Sequence, residues 1–152
     1  MGKHDHHEHR GDSLADAARA NLEAAGEKWT ETRATIFEVL AGFSRPASAY
    51  DIADLVSTAR GKRVAPNSVY RILDLFVAKN IALRVESAKA NIANTHPGCE
   101  HDCMFLVCSS CGEATHIDND LLSAQVRDVA QKEGFNSIRP VIEVQGICQK
   151  CN

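Results

Sequence analysis

The chain has 152 residues, and its 17 basic and 20 acidic side chains give a formal net charge of −3. That length supplies one modest hydrophobic core or two small ones, and no apolar run approaches the roughly 20 residues of a membrane span, which argues against membrane insertion. The acidic balance argues against a uniformly basic nucleic-acid binder but is compatible with a local basic patch. We therefore expect two small domains that rely on a metal or a second subunit for stability.

The N-terminal segment is polar and has nothing to bury, so we predict a disordered tail over residues 1–12. Its histidines alternate with acids and could bind metal loosely, although a solvated tail is the simpler interpretation. No apolar export segment occurs near the N-terminus, so a reduced, cytoplasmic location is expected. The histidines are His4, His6, His7 and His9.

Three amphipathic helices are predicted in the first 60 residues. The first runs from Ser13 to Gly26, and the third begins at Ser48. Each of these serines has an acid three residues later, which is typical of a capping box. The second helix opens at Thr30 and ends at Gly42.

A fourth helix begins near Pro66, because proline is tolerated in the first turn. Apolar side chains recur at helical spacing from Val69 to Val77 and define its buried side. The opposite side, close to a helix N-terminus with partial positive charge, offers groups that suit phosphates and base edges. A basic loop before the helix adds two cations. The candidate DNA-binding side chains are Asn67, Ser68, Tyr70, Arg71, Lys62 and Arg63.

A turn at Lys79 and Asn80 and a β-prone segment at 81–85 follow, which is the pattern of a wing. Helices followed by a wing predict a winged helix-turn-helix domain, and we place it at residues 13–87. From the pattern alone, a generic helical domain with a merely solvated polar side stays open as the alternative.

Beyond Glu86 the hydrophobic period shifts towards two, and we predict a hinge at residues 88–94 and an α/β domain at residues 95–152. Strands are expected near 91–94, 104–108, 114–117 and 138–146, with a helix from about 119 or 120 to 133. The side chains of that helix expected to point inward are Leu121, Leu122, Val126 and Val129. The fold class is therefore α+β, with an N-terminal winged helix-turn-helix domain and a C-terminal α/β dimerisation domain whose sheet edges could pair across a two-fold axis.

Two Cys-x-x-Cys pairs lie in the C-terminal third: Cys108 with Cys111, and Cys148 with Cys151. A two-residue spacer lets both sulfurs of a pair bend around one ion, and a second pair closes a tetrahedral shell, so a structural zinc ion is predicted. Gly112 would relieve the tight turn after the first pair. The alternatives are disulfides, which need an oxidising compartment, or a redox motif, which should open a helix rather than follow a strand.

A second group of soft ligands precedes the first pair: His96, Cys99, His101 and Cys103. In an extended segment, residues two apart point the same way, so the last three could line one side of a pocket. Thiolate and imidazole ligands favour zinc over manganese or ferrous iron, so a second, sensing zinc site is predicted. The alternative is a turn at Pro97 and Gly98 whose histidines and thiols are merely exposed.

The run from Asn67 to Leu73, the wing after it, His101 and the two paired cysteine motifs together resemble the ferric uptake regulator superfamily, and its zinc uptake regulator branch most of all. The resemblance covers residues 14–151. It implies a homodimeric bacterial repressor that binds double-stranded operator DNA when its regulatory site holds metal and releases it when metal is scarce. By the same resemblance, Tyr70 and Arg71 match DNA-reading positions, and the four paired cysteines match the structural zinc site.

The sensing site departs from the family pattern. In the zinc branch it usually takes a histidine from the wing, a cysteine from the next strand, a histidine before the first cysteine pair and an acid or histidine after it. The first two positions here hold Leu83 and Asn94, which are poor zinc ligands, whereas the last two hold His101 and His116. Extra thiols nearby could replace what is lost. The predicted regulatory ligands are therefore drawn from Cys99, His101, His116, Cys103 and His96.

The sequence thus predicts a zinc-responsive repressor of zinc uptake and homeostasis genes, with one structural and at least one regulatory Zn²⁺ per chain. Operator DNA and a second copy of the chain are the expected partners. An iron or peroxide sensor of the same superfamily, or a structural zinc module that contacts only proteins, stays open. A zinc deaminase is not expected, because neither cysteine pair follows the proline of that signature. Neither an enzyme nor a small-molecule substrate is predicted.

Overall fold

The computed structural model describes residues 11–97, 102–136, 138 and 140–152, except for the side chain of Cys103. The predicted N-terminal tail lies outside these residues up to residue 10. By its internal contacts the chain divides into two compact units, Met1–Cys99 and Glu100–Asn152. Within the described ranges, every helix is too short or too polar to cross a bilayer.

The first unit is mainly helical, and the second mixes strands with a helix. The described part of the first unit contains α1 (Asp12–Ala24), α2 (Glu31–Ala41), α3 (Ala49–Arg60), α4 (Pro66–Ala78), β1 (Ala82–Val85) and β2 (Ala90–Ala93). The described part of the second contains β3 (Cys103–Cys108), β4 (Ala114–His116), α5 (Asp120–Lys132) and β5 (Val141–Gly146). The predicted α+β fold class is confirmed.

An aromatic cluster forms the centre of the first unit. The buried rings of Phe37 and Phe76 meet edge to face with centroids 6.0 Å apart, and the ring of Trp29 lies 5.8 and 6.2 Å from them. Each such pair contributes about 0.5 to 1.5 kcal/mol beyond the burial of its area. Phe76 shares one side of α4 with the buried Val69 and Leu73. The cluster therefore fixes which side of α4 faces the solvent.

Side-chain caps start two of the helices as predicted. Thr30 accepts a hydrogen bond from a first-turn amide of α2. Ser48 and Asp51 form a reciprocal capping box, with bonds of 3.1 and 3.2 Å. The predicted cap at Ser13 is wrong, because α1 starts at Asp12 with Gly11 in the cap position, and the Gly11 carbonyl accepts the amides of Leu14 and Ala15.

The two strands of the first unit form the wing. β1 and β2 are antiparallel, with Ala82 opposite Ala93. Two backbone hydrogen bonds between Asn91 and Ala47, of 2.8 and 2.9 Å, hold this hairpin to the segment before α3. Since α3, a short connection, α4 and the hairpin follow one another, the predicted winged helix-turn-helix is confirmed.

The segment predicted as a hinge, residues 88–94, contains β2, which is paired along its length with β1. The boundary between the compact units falls later, after Cys99. A hinge is defined by motion between two domains, so the hinge and the domain limits inferred from the sequence stay predictions.

A three-stranded sheet in the order β4, β3, β5 forms the base of the second unit, so β4 and β5 are its edges. β3 runs antiparallel to β4 and parallel to β5, with Cys108 opposite Gly146. Phe105, in the middle of β3, is fully buried. The last strand, expected from residue 138, begins at Val141.

The apolar side of α5 does not face the interior of its own unit. Leu121, Leu122, Val126 and Val129 are 36–72% exposed, and Ser123 is the buried residue of this helix. The prediction that these four side chains point inward is therefore wrong for the single chain. A 3.6-residue period shows that a helix has an apolar side, but it does not show which surface covers that side.

Replacing Ser48 with alanine should lower the free energy of unfolding of the first unit by about 1 kcal/mol, because the Asp51 amide loses its capping oxygen. Urea unfolding followed by the fluorescence of Trp29, the single tryptophan of the chain, reports this unit selectively. Ser44→Ala, at an exposed loop serine, is the matched control and should leave the midpoint unchanged. Equal midpoints for both variants would contradict a stabilising role for the capping box.

Candidate metal centre and nucleic-acid interface

The four paired cysteines form one cluster. Their sulfur atoms all lie within 4.8 Å of one another, and those of Cys111 and Cys148 are 3.8 Å apart. This separation matches the roughly 3.8 Å edge of a tetrahedron whose zinc–sulfur bonds are about 2.3 Å long. A disulfide would need sulfurs about 2.05 Å apart, whereas all four are free thiols. The arrangement fits one tetrahedral zinc ion and contradicts the disulfide alternative.

The sheet explains why cysteines 40 residues apart meet. Cys108 is the last residue of β3, and Gly146, its partner on β5, lies two residues before Cys148. The Ser109 amide donates to the Gly146 carbonyl at 2.8 Å, so the pairing continues up to the cluster. Because paired parallel strands run in the same direction, the C-terminal ends of β3 and β5 lie side by side. The cysteine pairs at these two ends are therefore close together.

Backbone amides surround the sulfur of Cys108, the buried member of the cluster. The amides of Cys111 and Cys148 donate to it at 3.5 and 3.3 Å and lower the pKa of the Cys108 thiol to about 6. The exposed Cys151 behaves oppositely, because a hydrogen bond with Cys148 raises its pKa to about 12. Cys108 therefore forms a thiolate more readily than Cys151, and a thiolate is the form that binds metal.

Two further contacts shape the turns around the cluster. Gly112 adopts φ 77°, a left-handed conformation that favours glycine, and its amide donates to the Cys108 carbonyl at 3.0 Å. The Lys150 ammonium lies 3.3 Å from the Glu113 carboxylate, which raises the pKa of Lys150 and links the two cysteine turns. Lys150 is 79% exposed, so this ion pair stabilises little. It does keep a positive charge close to the sulfurs of Cys148 and Cys111.

The polar side of α4 faces solvent. Asn67, Ser68, Tyr70 and Arg71, the side chains predicted to contact DNA from this helix, are all exposed, while Val69 between them is buried. The buried stripe turns inward because it packs on the aromatic cluster of the first unit. The geometry can therefore present hydrogen-bonding groups and one guanidinium to a groove.

The approach to α4 is basic. The cap position is Ala65, and no side chain among the described residues caps this helix. Pro66 has no amide hydrogen and the Ser68 amide donates to the Ala65 carbonyl at 3.0 Å, so the helix start offers a phosphate mainly the Asn67 amide and the partial positive charge of the helix dipole. Lys62 and Arg63, also predicted to contact DNA, are exposed in the preceding loop. Arg60 differs, because its guanidinium donates to the Thr32 hydroxyl of α2 and so serves the fold.

Tyr50 is absent from the set predicted from the sequence, yet it lies on the same surface. It is 63% exposed on α3. Its ring meets that of Tyr70 edge to face, with centroids 6.2 Å apart and planes at 87°. An aromatic side chain on the polar side of α3, near the helix start, was the signal that could have identified it.

The predicted sensing ligands are only partly described. His96 is half-buried in the segment after β2, and His116 ends β4, where its Nε2 atom lies 3.7 Å from an Asp118 oxygen. Cys103 begins β3, while Cys99 and His101 lie outside the described residues. The two positions that depart from the family pattern are buried: Leu83 is 5% and Asn94 is 4% exposed. The sensing site therefore stays a prediction.

Comparison with known proteins gives consistent results. Residues 24–145 match the model of the Ferric uptake regulator family. A zinc uptake regulation protein of Mycobacterium tuberculosis is 28% identical over 131 residues, which are 86% of this chain and 98% of that protein. The crystal structure of holo XcZur is similar with a TM-score of 0.82 and 30% identity, covering 93% of this chain and 98% of that one.

The fold also matches a solved complex of a zinc uptake regulator with zinc and DNA. That structure has a TM-score of 0.83 and 24% identity, and the match covers 91% of this chain and 92% of the other. At this identity the likeness concerns the fold. Because the family match extends over most of the sequence, the chain belongs to the ferric uptake regulator family.

Proposed function

We propose that this protein is a zinc-responsive transcriptional repressor that binds double-stranded operator DNA as a zinc-loaded homodimer and controls zinc uptake and homeostasis genes. The observation that carries the proposal is the exposed polar side of α4 on a winged helix, in a chain that also holds a four-cysteine centre. Zinc uptake regulators are among its relatives. It acts in the cytoplasm as a regulator, with DNA rather than a small-molecule substrate as its ligand.

The structural zinc ion is held by Cys108, Cys111, Cys148 and Cys151. Bound there, zinc supplies a cross-link between the end of β3 and the C-terminal turn. The second unit has roughly 50 residues, a size at which a single hydrophobic core is marginal and a metal often completes the fold. The centre is therefore structural, with all four tetrahedral positions filled by protein.

DNA is bound by the side chains around α4. Arg71 suits a guanine edge or a phosphate, and Asn67 and Ser68 lie in the first turn, where the helix dipole favours anions. Lys62 and Arg63 supply sequence-independent phosphate contacts. The paired rings of Tyr70 and Tyr50 add an apolar edge to the surface.

The regulatory ligands are drawn from Cys99, His101 and His116, with Cys103 and His96 as further candidates. Their mixture of thiolate and imidazole favours zinc over ferrous iron, which prefers more oxygen ligands. A complete switch requires that the DNA-binding arrangement bind the metal about 10⁴-fold more tightly than the alternative. The switch thus depends on differential metal affinity between two arrangements of the dimer.

The second unit supplies the surface for the second copy. Its exposed apolar side chains lie on α5 and on the sheet, including Leu121, Val129, Leu106, Val141 and Val144. Clustered exposed apolar side chains mark protein interfaces. β5 is also an edge strand with backbone groups able to pair. A two-fold dimer through this unit would place two copies of α4 for neighbouring half-sites.

A binding titration on duplexes selected by the zinc-loaded protein from random DNA tests the switch. Zinc should raise the affinity of the full-length protein at least about tenfold over that of the chelated protein. The same titration with manganese or ferrous iron separates the alternatives, because rescue by iron alone would assign an iron sensor. Equal affinity with and without chelator would contradict the proposed zinc-dependent switch in DNA binding.

Zinc content distinguishes the two sites. Elemental analysis of the wild-type chain should give at least two zinc ions per protomer, and Cys148→Ser should lose one, because a tetrahedral centre loses one of its four ligands. Cys99→Ser should also lose one ion but keep the thermal stability of the second unit, since that ligand is proposed to serve sensing. Unchanged zinc content in Cys148→Ser would contradict the structural centre.

Arg71→Ala should weaken operator binding by about 1 to 3 kcal/mol and relax the sequence preference, because a guanidinium bidentate to guanine is lost. Fluorescence anisotropy on the selected duplex and on a scrambled one measures both effects. Arg19→Ala is the matched control, since Arg19 is an exposed arginine on α1 paired with Glu23. A loss of affinity equal for both duplexes would reassign Arg71 to phosphate contact.

A further inference from the structure

The recognition helix α4 ends in a tightly bonded turn. Asn80 adopts a left-handed φ of 59°. Its amide donates to the Val77 carbonyl at 3.1 Å, and the Ile81 amide donates to the Phe76 carbonyl at 2.8 Å. These two bonds form a Schellman motif. Because Ile81 is fully buried, the exit of α4 is anchored in the core of the first unit.

Three consecutive carbonyls at this exit are bonded by asparagines from elsewhere in the first unit. The side chain of Asn21, in α1, donates to the Lys79 carbonyl at 2.7 Å. Asn94, just after β2, donates through its side chain to the Asn80 carbonyl and through its main-chain amide to the Ile81 carbonyl, both at 2.8 Å. These carbonyls lie at or just beyond the end of the helix, where no amide of the helix can donate to them, and the N–H groups of the two asparagines satisfy them instead.

The other polar atom of the Asn94 side chain bonds in the opposite direction along the chain. Its Oδ1 accepts a hydrogen bond from the His96 amide at 2.9 Å, and the residue is 4% exposed. One buried amide group therefore joins the end of α4 to the start of the segment that carries proposed sensing ligands. Asparagine combines a donor and an acceptor on one short planar group, whereas an ionised aspartate only accepts.

We propose that Asn94 is a positioning residue that transmits the state of this segment to the recognition helix. The inference rests on the zinc-responsive function proposed above. A displacement of the main chain at His96 changes the bond to Oδ1 and thereby the orientation of the amide that holds the Asn80 carbonyl. Loss of one bond from a buried polar group is comparable in size to a typical allosteric coupling, roughly 5- to 150-fold in affinity.

Asn94→Asp tests the proposal, because it keeps the shape of the side chain but replaces the donor that faces the Asn80 carbonyl with an acceptor. The full-length variant and wild type are titrated with the selected duplex, with excess zinc and with chelator. We expect the ratio of zinc-loaded to chelated affinity to shrink about tenfold in the variant, while its zinc content stays that of the wild type.

Asn91→Asp is the matched control. Asn91 is also a buried asparagine, 3% exposed, in the same hairpin, so its variant carries the same new charge and should keep the wild-type ratio. A purely structural role for Asn94 would lower both affinities in proportion and leave the ratio unchanged, which would overturn the proposal. A wild-type ratio of one would instead remove the proposed function, so the two failures are distinguishable.

Hydrogen exchange in the wild-type chain covers the case in which Asn94→Asp does not fold. Amide exchange is followed by NMR with zinc and after chelation. Chelation should accelerate exchange at the His96 amide together with the amides of Asn94 and Ile81, because the three belong to one bonded path. Acceleration at His96 alone would contradict the proposal, since the change would then stop before the recognition helix.

Discussion

The parallel pairing of β3 with β5 is the constraint on which the second unit depends. Only parallel pairing places the C-terminal ends of both strands, and therefore both cysteine pairs, at the same end of the sheet. The buried sulfur of Cys108 then receives amides from both turns, and the metal cross-links segments that the sheet has already brought together. Sheet and metal centre therefore support each other, in a unit whose remaining apolar surface is largely turned outward.

The first unit is stabilised differently. Its helices bury a continuous apolar core around Trp29, Phe37 and Phe76, and α4 contributes one side to that core. The side of α4 that is proposed to contact DNA is thus held by packing and by the bonds at its exit rather than by a metal. In the proposed function, metal therefore acts on the placement of the two DNA-reading surfaces of a dimer, while each surface is formed within its own chain.

Structural features that depend on residues close together in the chain were predicted correctly from the sequence. The capping box at Ser48, the buried and exposed sides of α4 and the pairing of cysteines within each Cys-x-x-Cys motif follow from spacing along the sequence, whereas the two motifs meet through the pairing of β3 with β5. The wrong and missing predictions concern tertiary contacts, which the local sequence does not determine. The apolar side of α5 is exposed in the single chain although its spacing predicted burial, and the exposed ring of Tyr50 lies against that of Tyr70, which is on another helix.

Asn94 occupies a position where the family pattern has a metal ligand, and that pattern alone does not explain its role. As a missing metal ligand it looks like a loss, because an amide replaces the thiolate that the zinc branch usually has there. In the structure, both polar atoms of that amide are bonded to neighbouring main chain. At this position, hydrogen bonds to the main chain stand where the family resemblance leads us to expect a bond to a metal ion.

The open edge of β5 has a consequence for the newly made protein. In the single chain, β5 has no partner strand on the side away from β3 among the residues that the structure describes, and the side chains of Val141 and Val144 on it are exposed. Such an edge templates addition of any extended chain. Association of two copies is bimolecular, so its rate falls steeply on dilution, and the apolar side chains along this edge then stay exposed to solvent for longer.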